Sequence, residues 1–333
     1  MSLTANRKAA VKMLKQLVFF PKSETESFRT RIEDTFSVPI LPNRVDRNER
    51  SYDGVVCDLL LPEVYASHRI ILYIHGGSFI GGSRASWRSF CATLANVCSS
   101  RVVLPEISLA PAHSYPAAIE DIQKVFRAMF TEEQISSSLD TENGENADPE
   151  VIIAADGSGA SQALAFLFNL KQRFRNAIKH VILFSPWLNL SPSSPLIAGK
   201  KVSDEVLTGE ALRCAGEIYT FASNLDNIFV SPLSADQQVL AQFPDVYIQM
   251  GGKEILLQDA KLFKEKLEQA GSRCTLDIWP DMMYMFQMAD EFLPESHLAL
   301  ERIGKMVTAR RQDPEDTRAF YRIKTESGLN ADA

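Results

Sequence analysis

The stretch Val151-Ile152-Ile153-Ala154-Ala155-Asp156-Gly157-Ser158-Gly159-Ala160 is the part of the chain best suited to hold a reacting group. An apolar, β-branched run enters a tight turn of small residues, and Ser161 to Leu167 then leaves it with helical character. Strand, sharp turn and helix are the geometry of a nucleophile elbow, which lifts a serine Oγ above the sheet to attack an acyl carbon. Set on the Gly-x-Ser-x-Gly pattern, Ala155 and Gly159 fill the outer positions, but the nucleophile position is Gly157. Ser158 would serve only by a one-residue slip, which turns its side chain away from the oxyanion donors. A second stretch, His75-Gly76-Gly77-Ser78-Phe79, follows an apolar run. Backbone N–H groups of such a glycine turn can converge on one anion because no side chain obstructs them.

Composition narrows what else the chain does. A formal net charge of -7 on 333 residues argues against nucleic acid or an anionic membrane as main partner, although Arg7, Lys8, Lys12 and Lys15 make the start locally basic. The chain is 45% hydrophobic and 23% charged, ordinary for a globular protein, and long enough for one large α/β core. Five cysteines without a CxxC spacing read as reduced and structural, which fits a cytoplasmic setting. Met1 to Lys8 lacks a secretory apolar core, and no run is long enough to insert stably in a membrane. The histidines are not spaced as metal ligands. Gly157-Ser158-Gly159 lacks the spacing of a dinucleotide loop, and no Walker lysine follows it. Neither metal nor cofactor is therefore expected.

The elements that would carry these residues follow from periodicity. Ala5 to Phe20 reads as a helix stopped by Pro21, and residues 22–50 as a short helix and a loop, so 1–50 forms an N-terminal cap segment. Strands are expected at Val55–Leu61, Ile70–Ile74, Val102–Leu104, Val151–Ala155, Val181–Phe184, Val246–Met250 and Cys274–Trp279. Helices are expected at Ala85–Val97, Ala117–Phe130, after the elbow, at Leu256–Ala270 and at Glu291–Arg310. Thr131 to Glu150 has the composition of a surface loop. Strands alternating with helices give an α/β fold, a mostly parallel sheet covered on both faces. The core spans 51–310 with a cap insertion at about 188–225, partly helical from Asp204 to Phe221, and 311–333 is a flexible tail.

From about Ile70 to Arg310 the chain resembles the hormone-sensitive-lipase-like branch of the α/β-hydrolases, a family of carboxylesterases and lipases. His75-Gly76-Gly77-Ser78-Phe79 matches its HGGxF oxyanion loop, and Leu109-Ala110-Pro111-Ala112-His113-Ser114-Tyr115-Pro116-Ala117-Ala118 is close to its LAPEHxFPAA segment. The elbow Ala155-Asp156-Gly157-Ser158-Gly159 is similar to the family's Gly-Asp-Ser-Ala-Gly. The resemblance implies an α/β-hydrolase fold with a helical cap, and oxyanion donors at Gly76, Gly77 and Ser158. It puts the triad acid at Glu254, with Asp259 as runner-up, and the triad histidine at Tyr284 in Asp281-Met282-Met283-Tyr284-Met285-Phe286. Glu106-Ile107-Ser108 and Ala112 also depart from the family pattern.

Two of three triad positions thus carry residues unfit for the role. A phenol with a pKa near 10 is a poor general base at neutral pH, and losing nucleophile or histidine costs about a million-fold in turnover. The main expectation is an esterase homologue with little or no catalysis, binding a small ester or carboxylate ligand in a pocket that Phe79, Trp187, Met283 and Met285 either line or merely pack beneath. Plant hormone receptors built on the same fold, which lack a working triad histidine, offer a precedent. A hydroxyl bond from Tyr284 to Glu254 would be a structural relic. The alternatives are an ester hydrolase rearranged around Ser158 or a water near Glu254, and an interaction protein with a closed cavity. The resemblance also implies a homodimer through the last strand and closing helix.

Overall fold

Continuous runs of β-branched residues leave both faces of a strand in need of cover, and the chain meets that need with helices on each side of one sheet. The computed structural model describes residues 3–37, 41, 44–139, 149–191, 193–195 and 204–309. The expected 311–333 tail and part of the 188–225 insertion therefore lie outside the described residues. The strands are β1 (Val45–Tyr52), β2 (Val55–Pro62), β3 (Arg69–Ile74), β4 (Arg101–Pro105), β5 (Glu150–Asp156), β6 (Ile178–Phe184), β7 (Asp245–Gly251) and β8 (Cys274–Trp279). The helices are α1 (Leu3–Leu14), α2 (Thr25–Phe36), α3 (Arg84–Cys98), α4 (Ala117–Leu139), α5 (Gly157–Asn169), α6 (Gln172–Arg175), α7 (Gly209–Tyr219), α8 (Gln237–Leu240), α9 (Leu257–Gln269) and α10 (Pro294–Thr308).

Among the described residues the strands form one sheet in the order β1-β2-β4-β3-β5-β6-β7-β8. Strand β2 is antiparallel to both β1 and β4, and from β4 to β8 all neighbours are parallel. This is the mostly parallel sheet of an α/β-hydrolase fold. Helices α3 and α10 pack together on one face, while α5 contacts α4 and shares the Pro232–Ser234 turn with α9. The middle strands are the best covered: Ile70 to Ile74 and Val151 to Ala155 are almost wholly buried.

Two local assignments differ from expectation. Strand β1 was not foreseen, and it brings the sheet's first residue to Val45, inside the segment read as cap. Its sequence, Val45-Asp46-Arg47-Asn48-Glu49-Arg50-Ser51-Tyr52, buries only its two ends, so it carries no apolar alternation. The usable signal was the turn: Tyr52 pairs with Val55 across Asp53-Gly54, both at positive φ, and Asp-Gly is a strong two-residue hairpin turn. Helix α4 also runs on to Leu139 through residues read as loop. Glu133 in that extension is buried and accepts two hydrogen bonds from Arg101 at 2.8 and 2.6 Å. A paired carboxylate on the inner face makes an acidic segment part of the core side.

The N-terminal helices sit against the glycine loop after β3. The Phe28 and Ile32 side chains pack on Gly81 so closely that a β-carbon there would overlap them. Arg29 donates to the Ile80 and Ala110 carbonyls at 2.9 and 3.2 Å. Arg7 reaches Glu205 at 2.8 Å and the Asp281 carbonyl at 2.7 Å, tying α1 to the segment before α7 and to the loop after β8. No described helix is long and apolar enough to cross a membrane.

Candidate active site

Strand β5 ends at Asp156 in extended conformation, and Gly157 then turns the chain at φ +47° into α5. The turn is pinned from outside. Asp156 is buried, and its Oδ1 accepts from Tyr73 Oη at 2.8 Å, the Gly76 N–H at 2.9 Å and Trp87 Nε1 at 2.8 Å. Burial pushes the Asp156 pKa up to about 7 even though these donors pull it down. On the far side the Trp187 N–H donates to the Gly157 carbonyl at 2.9 Å. Gly159 lies so close to the Ile74 and His75 carbonyls that a β-carbon would overlap them, which brings α5 directly onto the oxyanion-type loop.

Tyr284 meets the elbow at its tip. A β-carbon built on Gly157 would come closer to the Tyr284 hydroxyl than the 3.0 Å that real β-carbons essentially never cross. The phenol is buried, and burial raises its pKa well above the ordinary value, with the Asp156, Glu254 and Asp204 charges adding to the effect. It stays protonated at neutral pH.

The expected bond from Tyr284 to Glu254 is absent. Glu254 Oε1 instead accepts from Ser185 Oγ at 2.8 Å and from the Gly251 N–H. Ser185 Oγ accepts in turn from the Met285 N–H at 3.2 Å. Glu254 Oε2 is buried without a partner, and burial holds the carboxyl well above the usual carboxylate range. Asp259, the runner-up, lies in α9, pushed up to about 6 by burial, with Oδ2 also unpartnered.

The glycine loop spends part of its donor capacity internally. The Gly76 N–H, one of the three expected oxyanion donors, is taken by Asp156. Gly77, Ser78 and Phe79 follow at φ +98°, +58° and +65°. The Phe79 N–H donates to Ser158 Oγ at 3.0 Å, and no histidine is hydrogen-bonded to that hydroxyl. His75 is buried against Trp87 with Nδ1 2.9 Å from the Gly76 carbonyl, and burial lowers its pKa. His297 is exposed beside Glu301 on α10. Ser78 Oγ accepts from the Phe19 N–H at 3.1 Å, tying the N-terminal segment over the loop.

Among the described residues a cavity of about 10 Å³ is bounded by Ser78, Ser158, Trp187 and Tyr284 on the sheet side and by Leu207, Leu212 and neighbours of α7 above. That is room for about one water. Of the four expected pocket residues only Trp187 is in its wall. Phe79 is stacked on Tyr219 with ring centroids 3.9 Å apart, and Met283 and Met285 are fully buried. Ser185, Ser78 and Tyr219 were not singled out in the sequence. Ser185 follows β6 in Ser185-Pro186-Trp187, at the sheet's ligand edge, and Ser78 is the variable position of the HGGxF stretch. Among the described residues no cluster of His, Cys, Asp or Glu is arranged to hold a metal.

Comparison with known proteins gives a consistent set of relatives. A family model described as alpha/beta hydrolase fold matches residues 71–288. An esterase of Acinetobacter venetianus is 33% identical over 243 residues, covering 72% of this chain and 75% of that protein. An acetyl-hydrolase of Streptomyces hygroscopicus is 28% identical over 262 residues, 78% of each chain. Among solved structures, an esterase of the bacterial hormone-sensitive lipase family superposes with a TM-score of 0.79 at 22% identity, covering 92% of this chain and 98% of that one.

Proposed function

The chain belongs to the alpha/beta hydrolase fold family, and we propose that within it the protein is a non-catalytic esterase homologue whose acyl site is closed by its own side chains. The observation that carries this reading is the Tyr284 hydroxyl standing where a side chain at position 157 would begin. The esterase mechanism needs an attacking oxygen at the elbow, an imidazole to take its proton, and N–H donors for the developing oxyanion. Position 157 offers no oxygen, position 284 offers a neutral phenol, and the Gly76 N–H is already committed to Asp156. Glu254 keeps the acid's position but donors hold it that are unrelated to catalysis.

The small cavity among the described residues supports a closed site over a binder of small esters or carboxylates, since Tyr284 and residues of α7 stand in its wall. The protein then works through binding elsewhere on its surface and not through bond cleavage. Rearranged hydrolysis through Ser158 is disfavoured by its hydroxyl serving the Phe79 N–H with no base beside it. The test is p-nitrophenyl acetate turnover by the wild type and by a Gly157→Ser, Tyr284→His double variant. The expected result is a wild type at background, with saturable activity gained only by the double variant. Wild-type turnover in the range of ordinary esterases, about 1–10³ s⁻¹, would end the proposal.

A further inference from the structure

Strand β1 is one end of the sheet, and among the described residues no strand pairs with its outer side. It runs eight residues against β2 in unbroken register, and the side chains from Asp46 to Ser51 are all exposed. The unpaired N–H and C=O groups of such an edge are a template for another strand. Folds usually block it with proline, lysine, a bulge or a very short strand. The run Val45-Asp46-Arg47-Asn48-Glu49-Arg50-Ser51-Tyr52 contains neither proline nor lysine, and its pairing with β2 has no bulge. What it does contain is charge in a fixed order: negative, positive, neutral, negative, positive from Asp46 to Arg50.

Charge of a single sign would block the edge against a second copy, but this order is its own complement. Two copies of β1 laid antiparallel about a two-fold axis at Asn48 set Asp46 against Arg50 of the second copy, Arg47 against Glu49, and Asn48 against Asn48. Each residue faces one of the same parity, so outward N–H and C=O groups meet, and facing side chains share one side of the sheet. Opposite charges directly across a strand pair attract, and an asparagine amide supplies both donor and acceptor to its copy. Other registers lose the match. An axis at Arg47 or Glu49 leaves no opposite charges facing, and an axis midway between Asn48 and either neighbour sets Asp46 against Glu49 or Arg47 against Arg50. The side chains are placed to use it. Glu49 lies across from Asp58, where Arg84 Nη1 holds the two at 3.1 and 2.8 Å, yet the Glu49 side chain stays 58% exposed. On the opposite face of β1, Asp46 and Arg50 are in no ion pair among the described residues.

We propose that β1 is a self-association edge: it pairs antiparallel with β1 of a second copy, Asp46 against Arg50 and Arg47 against Glu49, and joins two sheets into one. The contact is isologous, so every charge pair occurs twice. It lies at the opposite end of the sheet from β8, the edge that the resemblance implied for a dimer. An eight-residue edge makes a small contact, which gives a weak, concentration-dependent dimer. The proposal is independent of the closed site at Gly157.

The test is sedimentation equilibrium of the full-length protein from about 5 to 500 µM, concentrations that cover weak interfaces of this size. A monomer–dimer equilibrium is expected. Asp46→Arg and Arg50→Asp each set like charges across the contact twice, and each should weaken the dimer about tenfold or more. Both positions are exposed, and circular dichroism reports that the variants are folded. An equimolar mixture of the two variants brings opposite charges together again at both pairs, so it should dimerise as tightly as the wild type. Neither folding damage nor a change of net charge would produce that recovery. A monomeric wild type, a dimer unaffected by either substitution, or a mixture no tighter than the variants alone would each overturn the proposal.

Discussion

The Tyr284 hydroxyl fills the volume that the first carbon of any side chain at position 157 requires, so the residues at these two positions exclude one another's alternatives. A serine at 157 demands a smaller or displaced residue at 284, and the tyrosine where it stands leaves room only for glycine at 157. The left-handed φ of Gly157 adds to the same restriction.

Gly157→Ser alone should therefore destabilise the fold by about 2–4 kcal/mol, from overpacking and backbone strain together. Combined with Tyr284→His, the loss should be smaller than the sum of the two single changes by about 1–3 kcal/mol. Urea unfolding of the four proteins in the cycle measures this directly. Additive effects would mean that the two side chains do not compete for space.

Ser158→Ala removes the acceptor of the buried Phe79 N–H and should cost about 1–2 kcal/mol, leaving any ester background unchanged. Neither the wild type nor this variant should form an adduct with a fluorophosphonate probe. Mass spectrometry showing a modified Ser158 would contradict both statements.

Stability should fall as pH rises from about 4 to 7. The native state holds protons on Asp156, with a pKa of about 7, on Asp259, with a pKa of about 6, and on Glu254, all raised by burial. Unfolded carboxyls release their protons near pH 4. Above that pH and below the native values the native state binds more protons than the unfolded chain, so each group contributes a negative slope of up to about 1.4 kcal/mol per pH unit. The stabilisation is complete below pH 4 and gone above the native pKa. Asp156→Asn should flatten the profile between pH 4 and 7, as read from denaturant midpoints. A wild-type midpoint that rises over this interval would contradict the assignment.

Ser78→Ala takes away the acceptor for the Phe19 N–H. Hydrogen exchange at Phe19 should become about two- to tenfold faster, while amides of β3 and β5 keep their protection. Arg7→Ala, whose ion pair with Glu205 is half-exposed, should change exchange at Phe19 less.

The middle of the sheet was legible because Ile70–Ile74 and Val151–Ala155 have no polar face to hide, and their flanking turns carry glycine and small residues. Strand β1 was not, since six of its eight side chains face solvent and its reason for being a strand lies in the Asp53-Gly54 turn and the pairing with β2. The end of α4 escaped for a related cause: Glu133 reads as a solvated charge until Arg101, thirty-two residues earlier, is brought beside it. At the candidate site, the residue types at 157, 254 and 284 were readable from motif spacing. Who donates to whom was not. The pairing of Glu254 with Ser185, and of Gly76 with Asp156, joins segments 69 and 80 residues apart.

The three donors on Asp156 come from β3, the glycine loop and α3, and none belongs to the residue they serve to position. The bend after β5 is consequently a property of its neighbourhood. The mount is thus set by β3, the glycine loop and α3, and a new side chain at 157 would have to be matched at 284 before that mount could carry it.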